Sequence, residues 1–292
     1  MSGSPMKKEE LRPVISRLIV KYSLGGERRS FPWRAPGRTA YEVLMAEVLL
    51  KRTSATAVDR AYRPFLSRLP TIFDVLQISD RELEEIIAPL GLSQQRTKGL
   101  KGLSRYIIGH EHGVVPCELD RLLKVPDVGS YSARAVLSFA CGIPAAVVDS
   151  NVERIYLRIF NNSRPARVTK KIFQDIADYY LPIKRHREYN FGLLDLGSLV
   201  CRPVAPKCAE CPLKKICDYH VFKAGLAITG AKDSKLRSIR KSKNISLVGL
   251  SKCSGVSKRT IISIELGRTR PQATTLNKLA LALNADVEDL LE

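Results

Sequence analysis

The sequence lacks any apolar run near the roughly 20 residues that a membrane-spanning helix needs. Its first residues, MSGSPMKKEELRP, contain no apolar core of the kind a secretory signal carries, so a cytoplasmic location is expected. No segment alternates apolar and polar residues as a half-buried strand does, and no internal repeat is visible. Acidic side chains are scarce. There are 29 Asp and Glu against 48 Lys and Arg, a net charge of +19. That imbalance favours a polyanionic partner and salt-sensitive binding. Seven cysteines without a secretion signal point to a reducing compartment. Of these, Cys117, Cys141 and Cys253 stand alone and read as packing residues.

What is present is helical periodicity. Apolar positions recur every three or four residues over 9–22, 41–50, 57–68, 81–88, 97–109, 118–124, 131–140, 151–160 and 170–181. Short polar breaks with Gly or Pro separate these stretches. The length of 292 residues allows two domains. The composition divides the chain into residues 1–222, a linker over 223–234 and a second helical unit over 235–292.

The other four cysteines lie together. Cys201, Cys208, Cys211 and Cys217 occur in CRPVAPKCAECPLKKIC. Four thiolates this close suit tetrahedral sulfur ligation, by zinc or an iron–sulfur cluster. Zinc ribbons use two separated CxxC pairs, whereas here there is one. The wide, uneven spacing suits a larger cubane.

Two carboxylates stand out. Glu47 sits within VLMAEVLL, an otherwise apolar helix. A carboxylate there is either paired with a cation or holds its proton unusually tightly. Asp149 follows the apolar run AAVV and begins a helix, where N–H groups and the helix dipole favour its charged form. The bland alternative for Asp149 is a simple N-cap. Two carboxyls in different surroundings suit a proton donor and an anionic stabiliser. Between them lies LKVPDVGSYSARAVL. Here a helix is expected to end at Lys124, a turn to span Pro126–Gly129 and a new helix to start near Ser130. Free N–H groups at such a start suit a phosphate.

Together these residues resemble the HhH-GPD superfamily of base-excision DNA glycosylases. The likeness spans about residues 28–220 and includes Phe31-Pro32-Trp33-Arg34, Glu47, Gly91-Leu92-Ser93-Gln94-Gln95-Arg96, the hairpin, Asp149 and the cysteine loop. Asp127 stands where the usual LPGVG hairpin has its first Gly. The resemblance implies an all-α fold of two lobes with double-stranded DNA across the cleft between them. It implies a 4Fe–4S cluster on Cys201, Cys208, Cys211 and Cys217, a flipped target nucleotide, and catalysis by Asp149, Glu47 and Tyr131. DNA contacts are expected from Lys51, Arg52, Gln94, Val128, Gly129 and Tyr131. A nucleoid association follows. Endonuclease III-type members carry Lys where Tyr131 stands, so loss of the base without strand cleavage is expected. Lys51-Arg52-Thr53 and Gly91-Leu92-Ser93 look like the archaeal G·T mismatch branch, acting on thymine or uracil opposite guanine. Alternatives are an adenine glycosylase acting opposite G or 8-oxoguanine, and an iron–sulfur transcription regulator on the same scaffold.

Residues 235–292 resemble a Cro/C1-type helix-turn-helix. Gly255 would make the turn, Ser257 would cap the recognition helix, and Lys258, Arg259 and Ser263 would face DNA. The alternative is a protein-interaction module on the same fold.

Overall fold

A computed structural model describes residues 8–25, 29–160, 169–220, 234–265 and 271–290. The chain divides into two compact units, one running to Phe160 and resuming over Arg164–Cys217, the other built mainly from Asp218–Glu292. No strand occurs among the described residues, and no helix among them is long and apolar enough to cross a membrane.

Among the described residues the first unit is a bundle of eleven α-helices. They are α1 (Lys8–Leu24), α2 (Ala40–Leu49), α3 (Ala55–Arg68), α4 (Ile72–Gln77), α5 (Asp80–Ile87), α6 (Ser93–Glu111), α7 (Leu119–Leu122), α8 (Ser130–Phe139), α9 (Ser150–Ile159), α10 (Lys170–Tyr180) and α11 (His186–Asp195). All nine expected helices are there. Their starts follow local capping chemistry: Thr39 with Glu42 and Ser79 with Glu82 form reciprocal capping boxes. Two helices were not expected. α4 has only six residues, too few for a period to register. α11 is buried on nearly every side, from Tyr189 through Asp195, so it shows no one-sided apolar stripe. It packs along α1, and Gly192 permits the approach: a Cβ there would meet the Ile19 carbonyl at 2.7 Å.

α11 continues into a π turn over Leu196–Val200 and so into the cysteine loop. Its Asn190 is a fixing point. The Asn190 amide donates to the Ala145 carbonyl at 2.8 Å and to Ser138 Oγ at 2.9 Å, and its oxygen accepts from Val147 N–H at 3.1 Å. The segment leading to Asp149 is thereby held on α8 and α11.

Two expectations about cysteines are corrected. Cys117 and Cys141 are not packing residues but form a disulfide joining the approach to α7 with the end of α8. Pairing of distant cysteines leaves no signature in local spacing. Cys253 is exposed rather than packed.

In the second unit α12 (Lys235–Ser242), α13 (Leu247–Ser254), α14 (Lys258–Glu265) and α15 (Ala273–Leu283) enclose Leu236, Leu250, Ile261, Leu279 and Leu283. The expected linker lies outside the described residues save Ser234, whose side chain caps α12. Gly255 takes φ +66° and turns the chain between α13 and α14. Ser257 Oγ accepts from Thr260 N–H at 3.1 Å, as a cap should. Arg240 grips Glu265 with two hydrogen bonds, at 2.6 and 2.9 Å. Both side chains are buried, so the fork satisfies charges that could not otherwise stay inside.

Candidate active site

One cavity of about 430 Å³ in the first unit collects the three residues singled out for chemistry. Glu47 enters it from α2, Tyr131 from the first turn of α8 and Asp149 from the start of α9. Phe31, Trp33, Phe139 and Phe191 form apolar wall, and Arg29, Arg34, Lys51 and Asn151 add polar edges. An apolar cavity with a few convergent polar groups is what a ligand pocket requires.

Asp149 has two places in the structure. It caps α9 and it lines the cavity. Oδ1 accepts from Asn151 and Val152 N–H, each at 2.9 Å, and Oδ2 accepts from the Asn151 side chain at 2.7 Å. Arg154 Nη2 in turn holds Asn151 Oδ1 at 2.8 Å and the Gly197 carbonyl at 2.7 Å. Three N–H donors aimed at one carboxyl suit an anion of fixed orientation.

Glu47 is the opposite case. It is buried and, among the described residues, makes no hydrogen bond or ion pair. Burial raises its pKa to about 8, with Arg34 opposing the rise and Asp149 adding to it. At neutral pH the side chain is a carboxylic acid with a proton to give. The cation that could have ionised it is engaged elsewhere: Arg34 Nη1 donates to Asp195 Oδ2 at 2.7 Å. Tyr131 has its pKa pushed well up by burial and then by Glu47 and Asp149, so it stays a neutral phenol.

The residues expected to touch DNA separate into groups. Lys51 leaves α2 and donates through Nζ to the Asp127 carbonyl, with Asp127 Oδ1 at 4.0 Å. Arg52 adopts φ +54° and, with Lys51, lines a second depression shared with Leu92, Gln95 and Asp127. Gln94 is exposed on the first turn of α6 but stays out of that depression; its neighbour Gln95 lines it. Asp127 itself takes φ +62°, supplying the conformation that glycine gives the usual hairpin; Asp is one of the few other residues that tolerates it. Gly129 is exposed and caps α8 by its backbone, with no side-chain bond. Val128 is buried and its N–H is spent on the Val125 carbonyl at 3.1 Å, so neither its side chain nor its amide is open to a phosphate. In the second unit Ser257, Lys258 and Arg259 are exposed at the start of α14.

Sequence reasoning gave Leu92 no role beyond its place in the Gly91-Leu92-Ser93 likeness, and it missed Arg29 and Asp195. Leu92 begins α6 in the left-handed conformation with 53% of its surface exposed, an odd place for a large apolar side chain. That exposure is visible only in the fold. Nothing local marked Arg29 or Asp195, whose partners lie more than 160 residues away.

Around the cysteine loop, Arg158 Nη1 approaches Cys201 Sγ at 3.3 Å, and Arg154 Nε holds the Cys201 carbonyl at 2.8 Å. Cys217 Sγ lies 3.4 Å from the Arg158 carbonyl. Among the described residues no three His, Cys, Asp or Glu side chains gather around a single ion-sized point. Even so, Cys201, Cys208 and Cys217 all act electrostatically on Cys211. The four thiols thus share one region, a sulfur donor set of the kind that metal centres and iron–sulfur clusters use.

The pattern of HhH-GPD superfamily base excision DNA repair proteins matches residues 45–178. A thymine/uracil-DNA glycosylase of Methanothermobacter thermautotrophicus is 36% identical over 66% of this chain and 88% of its own. The chain belongs to the HhH-GPD superfamily. A thymine-DNA glycosylase of Aeropyrum pernix is 33% identical over 74% of this chain and 97% of its own. The solved structure of a thermostable thymine-DNA glycosylase superposes with a TM-score of 0.69 at 34% identity, covering 73% of this chain and 98% of that one. Residues 236–290 match a helix-turn-helix family. This HhH-GPD protein is therefore a DNA glycosylase with a helix-turn-helix unit fused after it.

Proposed function

We propose that this glycosylase removes thymine or uracil mispaired with guanine, hydrolysing the N-glycosidic bond and leaving an abasic site. The observation that carries the reading is the pairing of an unpartnered, protonated Glu47 with a triply hydrogen-bonded Asp149 in one cavity. The target nucleotide leaves the duplex and enters this cavity. Glu47 gives its proton to the departing base, and Asp149 stabilises the positive charge that grows on the sugar. Tyr131 has no amine, so no Schiff base forms and the strand stays whole. The branch assignment is supported by the relatives above and by Lys51-Arg52-Thr53 and Gly91-Leu92-Ser93.

Lys51, Arg52, Gln94 and Gly129 would contact the DNA backbone or the gap left by the flipped base. Cys201, Cys208, Cys211 and Cys217 would hold a 4Fe–4S cluster, which cross-links a loop bearing Arg202, Lys207, Lys214 and Lys215. Residues 1–222 would form the glycosylase domain and 235–292 a second DNA contact through Ser257, Lys258 and Arg259, raising local affinity by tethering.

The test is base release from labelled duplexes carrying G·T, G·U or A·8-oxoguanine, read with and without alkali. Breaks at G·T and G·U that appear only after alkali are expected. Breaks at A·8-oxoguanine instead would replace this reading with an adenine glycosylase. No release from any duplex, with site-specific footprints, would replace it with the regulator.

A further inference from the structure

Asp195 ends α11 with no solvent exposure. A carboxylate there needs partners, because a lone buried charge is costly. Three reach it: Arg29 N–H at 3.3 Å, Arg29 Nε at 3.0 Å and Arg34 Nη1 at 2.7 Å. Both arginines line the cavity that holds Glu47. Arg34 is held from another side by Phe191, whose ring centre lies 4.7 Å from the guanidinium carbon. The charged and titratable groups around Glu47 are Arg29 and Arg34 ahead of α2, Lys51 after it, Tyr131 on α8, Asp149 on α9 and Asp195 behind the arginines. Lys51 is turned to Asp127. Arg34 is the cation whose charge acts on Glu47, and its short hydrogen bond points to Asp195.

We propose that Asp195 is a positioning residue of this reaction, holding Arg29 and Arg34 off Glu47 so that Glu47 keeps the proton it delivers to the leaving base. The inference rests on the reaction proposed above. In that step the C1′–N1 bond breaks and its electron pair leaves with the pyrimidine, which takes the Glu47 proton on oxygen. Water adds to C1′, and the proton it releases restores the carboxyl. If Arg34 were free to turn to Glu47, a guanidinium–carboxylate pair would form and the acid would be lost.

The experiment is a single-turnover pH–rate profile of the full chain between about pH 5 and pH 9.5 on a G·U duplex. It compares wild type, Asp195→Asn, and Asp195→Asn combined with Arg34→Gln. Wild-type activity is expected to fall as the pH rises through the Glu47 value of about 8. Asp195→Asn should move that fall down by about one pH unit or more, with activity recovering in acid. Removing the Arg34 charge as well should move it back. The position of the fall does not depend on how much protein is folded, so poor folding cannot imitate the shift. A rate lowered equally at every pH, or a fall that Arg34→Gln does not return, overturns the proposal while the function stands. A wild type that releases no pyrimidine from any duplex overturns the function itself, and this proposal with it.

Discussion

Lys51 donates to the backbone carbonyl of Asp127, tying the end of the helix that carries Glu47 to the turn that precedes Tyr131. The bond crosses 76 residues of chain. Two walls of the active cavity therefore share one strut. Replacing Lys51 with Met keeps the aliphatic stem and removes the strut. Base excision should slow about fivefold, roughly 1 kcal/mol of lost alignment, with the fold unchanged. Single-turnover rates beside a melting curve would check it.

Glu47→Gln should cost activity and gain stability. Loss of a general acid lowers the excision rate by about 10² to 10⁴. The stability effect has a definite sign. Glu47 has a folded pKa of about 8 against an ordinary 4.5, so folding favours its protonated form. Its contribution is fully present below about pH 4.5 and is lost as the pH rises through 8. Gln cannot ionise. The variant should exceed wild type by on the order of 3 kcal/mol at pH 9, and match it near pH 4.5. Denaturant titrations at the two pH values would show this; equal differences at both would contradict it.

Tyr131→Lys should install a strand-cleaving amine beside Asp149. Borohydride should then trap a protein–DNA adduct with the variant and none with wild type.

The Cys117–Cys141 disulfide encloses the hairpin in a loop of sequence separation 24. By the chain-entropy estimate such a closure stabilises by about 3 kcal/mol. Replacing both cysteines with Ser should lower the melting temperature by several degrees, whereas a reducing agent should lower it only in the wild type.

Lys258→Ala with Arg259→Ala should reduce the slope of log affinity against log salt by about one to two, if the second unit touches DNA phosphates. Excision at saturating protein should not change.

Much of this site was legible in the sequence, because its chemistry depends on residue type in a local setting. A Glu inside VLMAEVLL and an Asp opening a helix announce themselves without a fold. The same is true of Gly255 and Ser257 at their turn. The remainder depends on pairings that leave no local trace. Asp195 meets Arg29 and Arg34 only because α11 returns beside the front of the chain, and α11 hides its helical period by being buried all round. Val128 looked available in the hairpin, yet the turn consumes its N–H and buries its side chain. Asp127 took up glycine's backbone conformation, which spacing alone cannot reveal.

Arg96 on α6 bears on a different matter, the portability of the loop at the end of α2. Its guanidinium reaches the carbonyls of Val48, Leu49, Lys51 and Gly91 and the Thr53 hydroxyl. The carbonyls of Val48, Leu49 and Lys51 belong to a helix end and the loop after it, and would otherwise seek water or a cap. The shape of residues 50–53 is thus stored in another helix. Anyone exchanging this loop between glycosylases to change what they excise must move Arg96 with it, or the transplanted residues will arrive without their form.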